Sequence, residues 1–336
     1  MPSKKSLTLE QIYNLAKNCL INNHADELNA SALANTMMCA ERDGSHSHGL
    51  FRLPAYVASL KSGKVNGTAR PRINSLTNSV IKLDANNGYA PLAHKTGLPE
   101  LIKITKSTGV GILAIHRVHH MAALWPEVEA LAEKNLVGFA CTAYMPSVAP
   151  AGGFKPLFGT NPISFAWPRP GMTPVVFDMA TAAMAMGEVQ IAARDGKNVP
   201  PGTGLDSNGN DTTNPSDITN GGVLLPFGGY KGSAIAMMVE LLAAGLIGEN
   251  FSFEAKENDN GDGGPPQGGQ FIMALSPAII AGNDWSKHCD IFFNQMTNMK
   301  GVRMPGQRRH RNRESKRPRD INSALLEKID ALTSQK

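Results

Sequence analysis

"VGILAIHRVHHMAALWPEVEALAEKNLVGFACTAY", Val110 to Tyr144, decides the fold class. "VGILAIH" is an apolar run of the length of a short buried strand, "MAALWPEVEALAEKN" changes to helical spacing, and "LVGFACTAY" returns to strand-forming residues. Helices and strands that alternate in this way define an α/β protein. Upstream, Val65 to His116 reads as short strands, with "SVIKLDANNG" ending in the turn signal Asn86-Asn87-Gly88. Downstream, the Pro/Gly-rich connection "MPSVAPAGGFKPLFGTNPISFAWP" leads to the strand "TPVVFDMA", which ends on an acid.

The chain opens with helices. Apolar residues at 9, 12, 15, 16, 19 and 20 form one stripe, with Thr8 and Gln11 as a capping box. A second helix is expected from about Asn29 to Glu41, capped by Asn29 or Ser31 and stopped near Gly44. A third, "LFRLPAYVASLKSG", has Pro54 in its first turn and Gly63 at its end. Two polar stretches, "GKNVPPGTGLDSNGNDTTNPSD" and "EAKENDNGDGGPPQGGQ", read as long loops. The apolar "KGSAIAMMVELLAAGLIG" between them reads as a buried helix.

With 42% hydrophobic and 18% charged residues, the chain has enough apolar material to offset its ordering entropy, so wholesale disorder is excluded. Its 336 residues suggest two lobes. The N-terminus lacks an apolar h-region, and the run "AMMVELLAAGLIG" is interrupted by Glu240 and too short to span a bilayer. Four scattered cysteines form no CxxC pair, which speaks against a zinc knuckle or a disulfide framework. The expectation is a soluble, cytoplasmic protein without a membrane partner. The net charge of +5 is concentrated in residues 300–319, which hold nine Lys/Arg and one Glu. That segment contains no aromatic stacking platform, so a solvated basic tail competes with a polyanion-binding role, and nucleic acid is not the expected partner.

The stretch "ERDGSHSHGLFR", Glu41 to Arg52, places two Ser-His pairs before an arginine. A histidine passes protons near neutral pH, and an arginine grips a carboxylate as a two-pronged fork. Residues alone leave four readings: metal site, acid/base site, anion clip or polar loop. His46-x-His48 and His116-x-x-His119-His120 have ligand-like spacing but no accompanying thiolate or carboxylate set, and no metal is expected. Asp206, Asn208 and Asn210 alternate as in a calcium loop, without its glycine and final glutamate. A P-loop, a GxGxxG after a strand and a GxSxG elbow are all missing. "FGGYKGSA" is the nearest thing to a phosphate cradle, with Lys231 adding charge.

Taken in order, "DGSHSHGLFRLPAYVASLKSG", "HHMAALWPEVEALA", "KPLFGTNPISFA", "FDMATAAMAMGEV" and "LPFGGYKGSAIAMMVELLA" resemble the malate/L-lactate dehydrogenase type 2 family of NAD(P)-dependent oxidoreductases. Within it the likeness is to the cyclic imino acid reductases. The resemblance implies a non-Rossmann α/β nucleotide-binding fold and a homodimer. The implied division is a helical substrate lobe (1–116), a cofactor domain (117–300) and a basic segment with a C-terminal helix returning to the first lobe (301–336). It also implies roles: His48 as proton donor, with Ser47 and Glu188 as its relay, Arg52 on the substrate carboxylate and Thr160 touching substrate. His120, Met121, Ala122, Ala123 and Leu124 would line the cofactor, as would Asp178, Met179 and Ala180, and Gly229 with Tyr230. Arg303, Met304, Pro305, Gly306, Gln307, Arg308 and Arg309 would sit at its adenosine end, where arginines favour NADPH, with NADH also possible.

The activity so implied is NAD(P)H-dependent reduction of Δ1-pyrroline-2-carboxylate or Δ1-piperideine-2-carboxylate, with a charged His48 supplying the proton. The competing readings are a 2-oxoacid reductase of the same family, a polyanion binder using residues 300–319, and a metal-dependent hydrolase.

Overall fold

A computed structural model describes residues 3–334. Strand β1 (Lys4–Leu7) leads into α1 (Leu9–Asn22), whose start is closed by the expected capping box. Thr8 Oγ1 accepts from the Gln11 amide at 3.1 Å, and the Gln11 side chain accepts from the Thr8 amide at 2.8 Å. Helix α2 (Glu27–Asp43) begins earlier than expected. Its cap is Asp26, not Asn29 or Ser31, and Asp26 Oδ1 accepts from both the amide and the side chain of Asn29. It stops at Gly44, which takes the left-handed conformation (φ +80°) that an L side chain adopts only with strain. Two single 3₁₀ turns, 46–48 and 50–52, then lead into α3 (Leu53–Lys61).

Strands β2 (Arg72–Ser75) and β3 (Val80–Tyr89), helix α4 (Ala90–Thr108) and strand β4 (Val110–His119) follow. Asn86 and Asn87 do have positive φ, but they form a bulge inside β3 and do not end it: pairing with β4 shifts between Asp84 and Gly88. Helix α4 overturns the expectation of short strands up to His116. Pro91 occupies its first turn, where no donor is needed, and Pro99 interrupts its interior. The helix persists because Ala90, Ala93 and Leu101 bury against the sheet. Gly97 allows the close approach, since a Cβ there would lie 2.8–2.9 Å from the Leu113 and Leu83 side chains.

Then come α5 (Trp125–Ala132), β5 (Val137–Thr142), β6 (Ile163–Trp167) and β7 (Val175–Met179). Strand β6 lies within the connection expected to be irregular. Next are α6 (Met186–Arg194), β8 (Gly204–Leu205), β9 (Asp211–Thr212), α7 (Pro215–Thr219) and β10 (Val223–Leu224). The chain continues through α8 (Tyr230–Glu240), α9 (Ser252–Glu257), β11 (Gln267–Leu275), α10 (Pro277–Ala281) and α11 (Trp285–Thr297). It finishes with α12 (Gln307–Glu314), β12 (Arg319–Asn322) and α13 (Ser323–Ser334).

The main sheet has the order β2-β3-β4-β11-β5-β6-β7. Only β3 and β4 run parallel, with α4 as their crossover; every other pair is antiparallel. The α/β class therefore holds with a mostly antiparallel sheet, and β4 carries that sheet across residues 116 and 117. Its main core joins Leu83, Leu101, Leu113, Ile115, Val128 and Ile272. A second core joins α1, α2 and α3 to the far end of the chain through Ile12, Leu33, Tyr56, Leu326 and Ile329, and β1 pairs with β12. Each such buried side chain contributes about 1.5–3 kcal/mol.

Three further expectations change. The stretch 196–217 contains β8, β9 and the start of α7, and Asp206 Oδ1 accepts from the amides of Asn208 and Asn210, which makes it a turn anchor. Helix α8, continued by a wider π turn over Leu241–Gly245, was expected to be buried but exposes Met237, Leu241 and Leu246. Glu240, the one acid in that apolar run, points inward and accepts from Asn161 Nδ2 at 2.8 Å and the Ser252 amide at 2.9 Å. The basic segment is also no solvated tail. Arg313 bonds Asp43 at 2.6 Å and Glu129 at 2.8 Å, and Arg319 donates to the carbonyls of Arg42, Asn312 and Ser315. No helix among the described residues is long and apolar enough to cross a membrane.

Candidate active site

The two Ser-His pairs separate at once. His46 Nδ1 lies 2.6 Å from Glu41 Oε2, while Glu41 Oε1 accepts from the Leu50 amide at 2.9 Å. Glu41 thus straps the turn from both sides, and Gly49 is needed because a Cβ there would lie 2.1 Å from that carboxylate. The Glu41 bond lifts the pKa of His46 above the ordinary histidine range. His46 is a turn residue at the cleft's edge.

His48 is placed differently. Its Nδ1 lies 3.2 Å from Ser47 Oγ, which leaves Nε2 as the ring nitrogen open to a bound molecule. Burial pushes its pKa down to about 3, with the electrostatic influence of Arg52 and then His120 adding to the effect. Among the described residues no carboxylate bonds the ring, so the structure lacks the Glu188 contact that was expected to keep His48 charged at rest. Arg52 Nε donates to the Ser47 carbonyl at 2.8 Å, and Nη1 rests 3.8 Å from Met121 Sδ. Among the described residues Arg52 has no acidic partner, so its fork is open to an anion. The first turn of α6 packs against it: a Cβ on Gly187 would meet Arg52 Nη2 at 2.6 Å.

Glu188 follows Gly187 and lines the same cleft as Ser47 and His48, but it is exposed and no hydrogen bond joins it to either. The three residues share a cleft without forming a bonded relay in this structure.

The cleft has a volume of about 390 Å³ and runs past Ser47, His48, Ala122–Leu124, Thr160, Asp178, Ala180 and Glu188 to Arg308 and Arg309. His120, Met121 and Thr160 line an inner chamber of about 150 Å³, shared with His48, Arg52, Thr142 and Tyr144. Arg303 to Arg309 line an adjoining hollow. Met179, on the outer face of β7, is 39% exposed, and Gly229 and Tyr230 lie at the start of α8 outside both cavities, Tyr230 being 73% exposed. The sequence reading therefore converges for most, not all, of the named residues.

Asp178 builds the cleft floor. Its Oδ2 accepts from the amides of Leu124 (2.7 Å) and Trp125 (3.0 Å), pinning the turn that begins α5, and burial pushes its pKa up to about 6. The donors fit a dinucleotide. Arg308 lines both cleft and hollow and is exposed, while Arg309 stacks over Trp125, donates to the Val176 carbonyl at 2.8 Å and keeps a buried Nε with no partner.

The sequence reading missed His94, Glu127 and Gln270. The carboxylate of Glu127 sits 3.3 Å from His120 Nε2 and 3.4 Å from His94 Nε2, and accepts from Gln270 Nε2 at 3.1 Å. The ring nitrogens and the carboxylate lie within 4.8 Å of one another, a ligand-like trio whose polar atoms already satisfy each other. His94 was hidden because α4 was not anticipated. Of the spaced histidines, His116 faces Glu249 at 3.8 Å and His119 Nδ1 meets the Pro265 carbonyl at 3.0 Å, so the sequence-adjacent clusters do not converge on one point.

The sequence and the fold match known proteins over nearly the whole chain. The family model described as malate/L-lactate dehydrogenase matches residues 7–330, and the chain belongs to that family. It is 42% identical over 331 residues to the Δ1-pyrroline-2-carboxylate reductase of Ancylobacter novellus, covering 97% of each chain. It is 46% identical over 285 residues to the Δ1-pyrroline-2-carboxylate/Δ1-piperideine-2-carboxylate reductase of Pseudomonas putida, covering 85% of this chain and 84% of that one. The crystal structure of Δ1-piperideine-2-carboxylate reductase from Pseudomonas syringae pv. tomato superposes with a TM-score of 0.92 at 42% identity, covering 98% of this chain and 99% of that one.

Proposed function

We propose that the protein is an NAD(P)H-dependent reductase of cyclic imino acids, taking Δ1-pyrroline-2-carboxylate to L-proline and Δ1-piperideine-2-carboxylate to L-pipecolate. The observation that carries this reading is the Arg52 guanidinium, which has no acidic partner among the described residues, beside His48 in a chamber the size of one small ring. Relatives that bear these activities in their names match nearly the whole chain. A bound reduced nicotinamide supplies the hydride.

The residues of the chain do the rest. Arg52 seats the carboxylate as a bidentate partner and so fixes the C=N group against the chamber wall, with Thr160 beside it. Burial is the main cause that holds His48 neutral and the Arg52 charge adds to it, so docking an anion on Arg52 offsets that added part. Substrate binding then draws a proton onto His48, and Nε2 delivers it to the imine nitrogen as C2 gains the hydride. Ser47 holds the other ring nitrogen, and Glu188, on the exposed rim, is the acid through which the proton is replenished.

Arg308 and Arg303, exposed and without acidic partners among the described residues, favour NADPH by pairing with its 2′-phosphate. The exposed Met237, Leu241, Leu246 and Phe253 support a homodimer built on α8 and its neighbours. The test follows NADPH and NADH oxidation with both cyclic imino acids, pyruvate and oxaloacetate in parallel. Turnover confined to the imino acids supports the reading; turnover confined to the oxoacids replaces it with 2-oxoacid reduction.

A further inference from the structure

The inner chamber is walled by residues that fall between His48 and Gln190, with one exception from far along the chain, Gly263. Gly263 lies in the acidic Gly/Pro segment after α9, which the sequence presents as a loop. The segment is tied down at several points. Lys64 Nζ lies 2.8 Å from Asp259 Oδ1 and 2.5 Å from Asp262 Oδ1, and all three side chains are about nine-tenths buried. Ser62 Oγ donates to Asp262 Oδ2 at 2.6 Å, and Asp262 Oδ1 accepts from the Gly264 amide at 2.8 Å. His119 Nδ1 donates to the Pro265 carbonyl at 3.0 Å.

Helix α3 supports two parts of the chamber wall. Arg52 stands at its N-terminus, and along its next turn and a half Gly264 packs so closely that a Cβ would lie 2.6 Å from Ser59 Cβ and 2.9 Å from the Ala55 carbonyl. Arg52 and the stretch of chamber wall at Gly263 are thus referenced to one rigid element.

We propose that residues 259–264 form a strap that sets the length of the substrate chamber, and that Lys64 is the positioning residue that fixes the preference between five- and six-membered rings. This rests on the reading of the chamber as a cyclic imino acid site. A chamber of about 150 Å³ holds roughly one six-membered ring, and one methylene more or less in such a pocket changes selectivity by roughly 10–200-fold. The strap needs to move by only a methylene's width to alter the choice. Removing the ammonium leaves two buried carboxylates facing each other without a counter-charge, which drives the strap off its seat.

The experiment compares wild type, Lys64→Met and the milder Asp259→Asn, which keeps one of the two ion pairs should Lys64→Met fail to fold. The readout is the ratio of kcat/KM for the six- over the five-membered imino acid. It is paired with dissociation constants of the cofactor-loaded protein for pyrrole-2-carboxylate and pyridine-2-carboxylate, unreactive rings of the two sizes. The expected result is a shift of about fivefold or more toward the larger ring in both ratios, carried by KM, with NADPH affinity unchanged. A purely structural role would lower both substrates equally, and ratios unchanged within twofold overturn the proposal. If the wild type turns over neither imino acid, the proposed function fails, while the two dissociation constants still decide the role of the strap.

Discussion

The Glu41 carboxylate and the His46 ring meet at 2.6 Å, and this contact converts the first Ser-His pair into scaffolding for the second. Because Glu41 also holds the Leu50 amide, it sets the path of the chain on both sides of His48. Gly49→Ala places a methyl group against that buried carboxylate, with an expected loss of about 2 kcal/mol or more of stability and most of the activity. Urea unfolding and turnover measured on the same preparation check this, and an undisturbed variant contradicts the role of Glu41.

His48→Ala is expected to lower kcat roughly 10²–10⁴-fold, the usual contribution of a positioned acid, while cofactor binding stays intact. Cofactor titration by fluorescence alongside steady-state rates separates the two. Near-normal turnover would remove His48 from the mechanism.

Arg52→Met is expected to raise KM by one to two orders of magnitude, which corresponds to the roughly 1.5–3 kcal/mol of a charged hydrogen-bonded contact. Arg52→Lys does not restore it, because an ammonium lacks the fork. The same Arg52→Met change removes a cation beside His48, so its imidazole titrates at higher pH. An NMR titration that finds the His48 resonance unmoved contradicts the electrostatic coupling inferred between the two.

Burial holds His48 near 3 and His119 near 4, against about 6.5 for a histidine in the unfolded chain. As pH falls below about 6.5 the unfolded chain takes up these protons first, so stability rises with pH in this window. The contribution of the two rings is fully present above pH 6.5 and is lost as pH falls toward 4 and then 3. His46, raised by Glu41, works in the opposite sense, so the measurement compares wild type with His119→Asn. Between pH 7 and 5 the wild type is expected to lose about 1–2 kcal/mol more than the variant. Parallel pH dependences of the two denaturation midpoints contradict this.

Arg308→Ala, alone or with Arg303→Ala, is expected to weaken NADPH about tenfold or more and to leave NADH nearly unaffected, since only the former carries a 2′-phosphate for an exposed arginine to meet. KM values for the two cofactors decide it. Equal losses for both place these arginines on the shared pyrophosphate.

The α/β class and the first three helices were legible because they rest on local signals: a capping box, a stopping glycine, a proline in a first turn. The grouping of His48, Arg52 and Thr160 came only through the family resemblance, since Thr160 lies far along the chain and the residues alone left the role of the Ser-His pairs open. Helix α4 was not, since Pro91, Gly97 and Pro99 punctuate it and only burial against β3 and β4 sustains it. Strand β6 was masked by Pro162 and Pro168 on its flanks. The exposure of α8 was illegible for another reason: an apolar helix reads the same whether it faces a core or open surface. In the site, Glu127 and Gln270 lie far from each other along the chain, and nothing local marks Glu127 as the partner of His120 or Gln270 as the partner of Glu127 and His94.

The pairing of β1 with β12, together with the packing of α1 against α13, bears on how the chain acquires its native shape. Asn23 Nδ2 donates to the Leu332 carbonyl across 309 positions of sequence, and Cys19 and Ile329 touch across 310. Contacts of such separation carry a large loop-closure cost and form late. The core of the helical lobe that carries Ser47, His48 and Arg52 therefore closes only once residues 319–334 are in place, which makes the two distant ends of the chain one cooperative unit.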